Sequence, residues 1–242
     1  GAGGNTSFKK DGILWIKASG KWLAHATSEE MMVPVALEAL RAALRCNDPG
    51  AEKAQQFVIK AQNPKALRPS IETTVHALFP QCVVVHVHCV QTISIAVRAD
   101  AATIVSELLA GLKAVFIPYA RPGLPLARAL QGAMDPSTNV AVLGNHGLVV
   151  AADTVEEAAE LLLQVCSRLS QPARAAPVPD FTALSVLRHN SPYRLPAHTG
   201  AHCVATDLNS CCVAAAGSLY PDHVVFLGAG STVAGPSENA EA

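Results

Sequence analysis

The segment from Cys82 to Cys89, Cys-Val-Val-Val-His-Val-His-Cys, constrains the fold of this chain most. Its β-branched valines indicate a buried strand rather than a helix. Side chains alternate across a strand, so His86 and His88 face the same way with Cα atoms about 6.6 Å apart. That separation suits two imidazoles that bind one metal ion, but an isolated His-x-His motif also arises by chance. Further ligands elsewhere in the chain have to decide between these interpretations.

The composition favours one substantial core and a small-molecule partner. Of the 242 residues, 50% are hydrophobic, and the formal net charge is −1 at pH 7. A near-neutral chain lacks the basic surface that non-specific nucleic-acid binding needs, so we expect no nucleic-acid partner. The apolar runs are shorter than the roughly 18 to 20 residues that cross a bilayer, and no charged-then-apolar leader opens the chain. We therefore expect no membrane partner.

The cysteines indicate the redox state of the compartment in which the protein works. The chain has 7 of them, an odd number, scattered rather than spaced in pairs. This pattern does not suit a disulfide framework, so reduced thiols and a cytoplasmic location are expected.

Two corners rich in small residues flank a predicted hairpin near the start of the chain. Asp11-Gly12 lies between two strand-like runs, and both residues tolerate the positive φ of a tight turn. Gly3-Gly4-Asn5-Thr6-Ser7 precedes the first run, and Ala18-Ser19-Gly20 follows the second. Corners of this kind can offer backbone N–H groups and hydroxyls to an anion, although ordinary turns are the commoner explanation.

Two helices are predicted before the histidine strand. Thr27-Ser28-Glu29-Glu30 resembles a helix start, and apolar residues recur at helical spacing from Val35 to Leu44. The second helix has Ser70 as its predicted N-cap, and Pro80 ends it just before the histidine strand.

Glu72 and His76 lie in this second helix, four residues apart, and therefore share a face. The helix dipole explains Glu72 in the first turn, and a hydrogen-bonded place in the core explains His76. The functional alternative makes Glu72 a general base delivered next to the metal and His76 a supporting partner. The sequence by itself leaves both interpretations open.

Predicted strands and helices alternate after the histidine strand. Asp100 caps an apolar helix that Gly111 closes, and residues 114–118 form the next strand. A further strand, residues 140–143, leads into Gly144-Asn145-His146-Gly147, where the glycines permit a close approach of backbone or ligand.

A long amphipathic helix and a linker complete the pattern. Asp153-Thr-Val-Glu156 resembles a capping box at the start of this helix. Its predicted apolar face consists of Val155, Leu162, Val165 and Leu169. Residues 172–180, rich in Pro and Ala, predict a linker between a domain at residues 1–171 and a C-terminal extension at residues 181–242. We expect the extension to consist of short strand-like or turn-rich pieces, and its role, including that of a truncated second domain, stays open.

Five motifs, taken in order, resemble a known family. They are Gly-Gly-Asn-Thr-Ser, Lys-Ala-Ser-Gly, Pro-Ser-x-Glu-x-x-x-His, His-x-His and Asn-His-Gly-Leu, and the resemblance covers residues 3–170. Together they resemble the class II aldolase/adducin family of zinc-dependent sugar-phosphate aldolases, and its rhamnulose-1-phosphate aldolase-like branch more than the fuculose branch. The resemblance implies an α/β fold with three layers, α/β/α, and a mostly antiparallel central sheet. It also implies a homotetramer with active sites at subunit interfaces.

The resemblance further implies a set of site residues. His86, His88 and His146 match the zinc ligands of the family, and Glu72 matches its catalytic acid/base. Tyr119 matches a tyrosine that is donated across a subunit interface. The positions that bind the substrate phosphate match Asn5, Thr6, Ser19, Gly20 and Ser70. One Zn²⁺ per chain is the expected cofactor, with another divalent transition metal as the alternative.

Two departures from the family pattern affect these expectations. Ser70-Ile71 stands where some members have paired serines, which removes one hydroxyl from the expected phosphate site. Cys89 occupies a place that proline often holds.

Three functions are compatible with the resemblance. The leading one is a zinc-dependent aldolase that reversibly cleaves a ketose phosphate or a related sugar through a metal-stabilised enediolate. The second is a sugar-phosphate epimerase or decarboxylase that uses the same zinc site, and the third is a noncatalytic adducin-like interaction module. The three histidines together with Glu72 argue against the module, whereas the two enzymes share every residue named above.

Overall fold

A computed structural model of the chain describes residues 4–175, 177–189, 192 and 194–231. These residues form two compact units that divide after Gln171. Among the helices described in either unit, none is long and apolar enough to cross a membrane.

The first unit is built around one sheet of seven strands, in the order β3-β2-β1-β4-β7-β6-β5. The strands are β1 Asn5–Lys10, β2 Ile13–Lys17, β3 Met32–Ala36, β4 Val83–Val87, β5 Ala114–Ile117, β6 Val140–Leu143 and β7 Gly147–Ala152. Neighbouring strands pair antiparallel except β5 and β6, which are parallel.

Helices cover both faces of this sheet. The helices are α1 Leu37–Arg45, α2 Thr73–Leu78, α3 Val90–Ala96, α4 Ala101–Leu108, α5 Leu124–Ala133 and α6 Val155–Leu169. α1, α2 and α5 share one hydrophobic core with side chains such as Val84 and Val149, whereas α3, α4 and α6 share the other with Leu148 and Val150. Because successive strand residues alternate between faces, β4, β5, β6 and β7 contribute to both cores, whereas β2 and β3 contribute to the first alone. The three-layer α/β/α arrangement with a mostly antiparallel sheet is therefore confirmed.

The first two strands form the predicted hairpin. Asp11 and Gly12 connect β1 to β2, and their φ angles are 51° and 75°. Two successive positive φ angles give a turn whose twist matches that of the flanking strands, which is why this dipeptide is a reliable hairpin signal.

The helix start predicted at Thr27–Glu30 is wrong. These residues form turns and bends, and the chain then enters β3 before α1 begins at Leu37. β3 contains Pro34, which has no N–H to donate to a neighbouring strand. The strand tolerates this residue because β3 is the edge of the sheet and pairs only with β2 among the described strands.

Ser70 is not the N-cap of α2. Glu72 holds that position, and Ser70 Oγ instead accepts a hydrogen bond from Glu72 N at 3.2 Å. An isolated bridge between Ala18 and Pro69 keeps the preceding segment extended, so the helix begins later than the local sequence suggests. Pro80 follows the end of α2 at Leu78, as predicted.

The capping box of α6 lies one residue later than predicted. Thr154 Oγ1 accepts from Glu157 N at 3.1 Å, and Glu157 Oε2 accepts from Thr154 N at 3.2 Å. Asp153 is engaged elsewhere, because its carboxylate accepts from Cys82 N, 3.3 Å away on the neighbouring segment. Val155 is 65% exposed, so its predicted place on the apolar face is wrong, whereas Val165 and Leu169 are fully buried.

The second unit is helical where the structure describes it. Its helices are α7 Phe181–Arg188, α8 Cys203–Thr206, α9 Leu208–Ala215 and α10 Pro221–Leu227. The expectation of strand-like pieces after the linker is therefore wrong. Asp180 caps α7 through Thr182 N and Ala183 N, and Asp207 caps α9 through Ser210 N. Such capping residues favour helices over strands.

Candidate metal centre

Three histidines converge at one end of β4. His86 lies on β4 between Asn5 of β1 and Val149 of β7, and His88 follows the strand. His146 lies in the turn between β6 and β7, which antiparallel pairing places beside the same end of β4. One ligand atom from each imidazole lies within 4.8 Å of the other two.

The hydrogen bonding of His86 fixes the tautomer that can bind a metal. Its Nδ1 lies 3.0 Å from the carbonyl oxygen of Leu148, which can only accept, so Nδ1 carries the proton. Nε2 therefore presents its lone pair to the cluster, 2.9 Å from Nε2 of His88. A hydrogen bond from the non-ligating nitrogen to a carbonyl is a common support for metal-binding histidines. The donor set fits a transition metal.

Gly147 allows the rings to approach one another. A Cβ atom at this position would lie 2.6 Å from the carbonyl oxygen of Val87, 3.0 Å from Cδ2 of His88 and 3.2 Å from Cε1 of His86. These distances are below ordinary van der Waals contact. The glycine that the sequence places after His146 is therefore a steric requirement of the cluster.

Glu72 lies against the histidines. Its side chain is almost fully buried, with Oε2 at 3.3 Å from Nε2 of His86 and Oε1 at 3.3 Å from Nε2 of His146. Asn5 Nδ2 donates to Oε2 at 2.8 Å. A carboxylate can only accept here, which assigns the amide orientation of Asn5. The family resemblance assigned Glu72 to the site of the histidines, and the tertiary structure brings it into contact with two of them.

Four of the five expected phosphate-binding residues lie on the Glu72 side of the sheet. Asn5 Nδ2 also donates to Ser70 Oγ, at 3.2 Å. Ser19 N donates to Arg68 O at 2.9 Å, so the corner formed by Ser19 and Gly20 lies beside the segment that leads to Ser70. Gly20 has a φ of 76°, a conformation that favours glycine.

Thr6 is the exception. It alternates with Asn5 on β1, so its side chain is on the opposite face, where its hydroxyl donates to the Val84 carbonyl at 3.3 Å. The structure does not bring the Thr6 side chain to the other four residues.

Tyr119 is the remaining expected site residue, and its backbone lies beside the turn that holds His146, since a Cβ atom built on Gly144 would lie 3.0 Å from Tyr119 N. Tyr119 follows β5, and its side chain is 62% exposed. This exposure leaves the side chain accessible to a neighbouring molecule.

Comparison with known protein families identifies the domain that contains this cluster. Residues 1–169 match the family described as the Class II Aldolase and Adducin N-terminal domain. The chain belongs to this family. The family resemblance drawn from the five motifs is thus confirmed.

Individual proteins are similar to this class II aldolase domain. The protein named Uncharacterized oxidoreductase YuxG, from Bacillus subtilis (strain 168), is 30% identical over 181 residues, which are 70% of this chain and 26% of that protein. This chain thus spans about a quarter of the length of that relative. The structure of the N-terminal class II aldolase domain of a conserved protein from Thermoplasma acidophilum is 26% identical, with a TM-score of 0.59, over 69% of this chain and 82% of that one. L-fuculose-1-phosphate aldolase from Thermus thermophilus is 17% identical, with a TM-score of 0.45, over 70% and 82% of the two chains.

Two polar features of this class II aldolase domain escaped the sequence analysis. Ser7 Oγ lies 2.7 Å from Nδ1 of His76, and both side chains are buried. Burial, with smaller contributions from His86 and Lys9, holds the pKa of His76 well below its usual value, so the imidazole is neutral. The signal for Ser7 was its alternation with Asn5 on one strand face.

Lys17 is the second of these features. Its side chain is buried at the end of β2, where Nζ donates to the carbonyl oxygens of Ala18 at 3.2 Å and Lys21 at 2.7 Å. Burial lowers its pKa. The ammonium group braces the turn that contains Ser19 and Gly20.

Proposed function

We propose that this protein is a metal-dependent aldolase that reversibly cleaves a carbon–carbon bond in a ketose phosphate or a related sugar. The observation that carries the proposal is the buried Glu72 carboxylate, 3.3 Å from Nε2 of both His86 and His146. A buried acid against a three-histidine cluster can exchange a proton with a substrate held at the metal. The fold alone is compatible with many functions, so the function has to be inferred from the residues of the site.

His86, His88 and His146 would hold the metal, and we propose zinc, with one ion per chain. Three protein ligands are typical of catalytic zinc, which keeps a further position for water or substrate. Imidazole nitrogen suits zinc better than Mg²⁺ or Ca²⁺. The bound ion supplies a Lewis acid that stabilises negative charge on a substrate oxygen as the carbon–carbon bond breaks.

Glu72 holds and moves the proton in this proposal. Asn5 restrains one oxygen of the carboxylate through the 2.8 Å hydrogen bond to Oε2. Oε1 lies 3.3 Å from Nε2 of His146 and would exchange the proton with the substrate. The carboxylate is thereby held in one orientation. General acid–base catalysis requires such a fixed position.

The proposed substrate is anionic at one end. The hydroxyls of Ser70 and Ser19 are the donors we propose for the phosphate, because Asn5 Nδ2 already donates to Glu72 and Ser70, and Ser19 N donates to Arg68 O. The Lys17 ammonium group behind the corner that contains Ser19 adds a buried positive charge, which favours a phosphate over a neutral group. Thr6 is left out of this set because its hydroxyl lies on the other face.

Assembly and location complete the proposal. Tyr119 would act in the site of a neighbouring subunit, which makes the enzyme a homo-oligomer, and the family resemblance points to a tetramer. All seven cysteines are free thiols, which supports a reducing compartment such as the cytoplasm.

The proposal is tested by an aldol-cleavage screen of phosphorylated and unphosphorylated ketoses, with metal analysis of the same sample. We expect cleavage of a ketose phosphate, loss of activity with a chelator, and recovery with about one zinc per chain. Zinc-loaded protein that cleaves no ketose, or that is equally active without metal, would refute the proposal.

Replacing Glu72 tests its role directly. Glu72→Gln preserves size and hydrogen bonding but cannot exchange the proton, so kcat should fall by roughly 10² to 10⁴ with the zinc content unchanged. If Glu72 only stabilises α2 through the helix dipole, the same change costs no more than about 1 kcal/mol of stability and spares turnover. Glu107→Gln, at an exposed position on α4, is the matched control.

A further inference from the structure

A buried hydrogen bond between Ser7 and His76 lies beside Glu72 but outside the proposed chemistry. Ser7 Oγ and His76 Nδ1 are 2.7 Å apart, and the two residues are 1% and 0% exposed. Ser7 belongs to β1 and His76 to α2, so the bond joins a strand to the helix packed on it. Buried polar groups are costly to leave unpaired, which makes this bond a strong constraint on how the two elements fit together.

The spacing of these residues matches that of Asn5 and Glu72. Asn5 and Ser7 are two residues apart on β1 and both bond to the α2 segment, while Glu72 and His76 are four residues apart. Two residues advance a strand by about 6.6 Å, and four residues advance a helix by about 6 Å. The two side-chain bonds therefore join β1 to the α2 segment at two points about one helical turn apart.

These two bonds help to hold α2 in position, together with its packing in the core and the hydrogen bonds from Arg41 to carbonyl oxygens at its C-terminal end. α2 has only six residues, Thr73–Leu78, and a helix this short has no stability of its own. Asn5 and Ser70 hold its beginning, through contacts to Glu72 itself. The Ser7–His76 bond holds it one turn further along, which fixes the rotation and the register of the helix on the sheet.

We propose that Ser7 and His76 are positioning residues for Glu72. The inference rests on the proposed function, in which Glu72 moves a proton at the metal centre. Without the bond, α2 shifts on β1 and the carboxylate leaves its place between His86 and His146. A misplacement of about 1 Å in a reacting group can cost roughly 100-fold in rate.

A bond with a purely structural role has different consequences. Its loss would lower the melting temperature and leave kcat of the folded, metal-loaded protein unchanged. A positioning bond lowers kcat at full metal content and leaves KM within about twofold, because the groups that bind the substrate are still present.

Three substitutions and a matched control separate these cases. Ser7→Ala removes the hydroxyl, His76→Leu removes the nitrogen, and His76→Asn places an amide near the position of Nδ1. Thr74→Val is the control, because Thr74 lies in the same helix, is 1% exposed, and has a hydroxyl without a hydrogen-bond partner among the described residues. If Ser7→Ala does not fold, Ser7→Cys replaces it with a side chain of similar shape and a weaker hydrogen bond.

We expect kcat to fall by roughly 10- to 100-fold in Ser7→Ala and in His76→Leu. His76→Asn should recover part of the turnover lost in His76→Leu, and Thr74→Val should match the wild-type protein. Unchanged kcat in Ser7→Ala at full zinc content overturns the inference.

Crystal structures of the zinc-loaded wild-type and Ser7→Ala proteins give a readout that does not depend on turnover. The Glu72 carboxylate should move by about 1 Å relative to His86 and His146 in the variant, and should stay in place in Thr74→Val. If the wild-type protein cleaves no ketose, the proposed function fails, while the displacement still tests the positioning. A carboxylate that does not move in Ser7→Ala overturns the inference.

Discussion

Gly147 is the residue of the metal centre with the least space for a side chain. A Cβ atom there would lie 2.6 Å from the Val87 carbonyl and 3.0 Å from the His88 ring. Gly147→Ala must therefore displace the end of β4 or turn the His88 ring out of the cluster. We expect the variant to fold but to lose most of its bound metal, measured as zinc per chain after equilibration with a weak chelator.

Gly132→Ala is the control for this substitution. Gly132 lies in α5, and a Cβ atom there meets nothing within 4 Å. This variant should keep its full zinc content. Gly147→Ala protein that also binds a full equivalent of zinc would show that the ring spacing tolerates the extra methyl group.

Lys9 makes stability depend on pH. Burial and then the nearby Arg41 lower its pKa to about 7, from an ordinary value of 10.5. Between these values the unfolded chain binds the proton that the folded protein has lost, so the free energy of unfolding rises with pH. One titrating group can change the free energy of unfolding by at most about 1.4 kcal/mol per pH unit. Well below pH 7, Lys9 is protonated in both the folded and the unfolded state, so it adds no pH dependence to the free energy of unfolding.

The Lys9 prediction is tested by urea unfolding at pH 7, 8 and 9. Lys9→Met should be less dependent on pH than the wild-type protein over this range. Lys10→Met, at the exposed neighbouring position of β1, is the control for loss of a lysine. Equal slopes for Lys9→Met and the wild-type protein would contradict the prediction.

Among the elements, α6 depends on its capping box. Thr154 and Glu157 each satisfy a backbone N–H of the other. Thr154→Ala leaves one of these donors without its partner and should lower the free energy of unfolding by about 1 kcal/mol. Val155→Ala, one residue further on at a position that is 65% exposed, should change it little. Equilibrium unfolding measures both variants, and an equal loss of stability in Val155→Ala would contradict a specific role for the Thr154 cap.

At the scale of the whole molecule, Tyr119 makes a prediction about assembly. Its side chain is 62% exposed in a single chain, and we propose that it acts in a neighbouring site. Tyr119→Phe and Glu72→Gln should each be nearly inactive. Mixed oligomers of the two should regain part of the wild-type activity, because some sites then combine an intact Tyr119 with an intact Glu72. Light scattering should show a tetramer, and a fully active monomer or no recovery in the mixture would contradict the prediction.

Much of the fold was predictable from local chemistry. The Asp11-Gly12 turn, the valine-rich strand before His86 and the end of α2 before Pro80 each depend on one or two neighbouring residues. The ordered motifs then gave the family, and with it the three-layer architecture. Local signals failed where a distant partner was decisive, as when Asp153 bonds to the segment at Cys82 and the capping box begins at Thr154 instead.

The candidate site also has features that the sequence predicts and features that depend on the tertiary structure. The sequence by itself determined which residue types could bind a metal, because a strand places His86 and His88 on one side. The family resemblance added His146 and Glu72 to this set, but only the tertiary structure shows the contacts that they make, since strand pairing of β4 with β1 and β7 joins segments far apart in sequence. It also paired Ser7 with His76 and turned Thr6 away, because burial and strand register depend on the completed sheet.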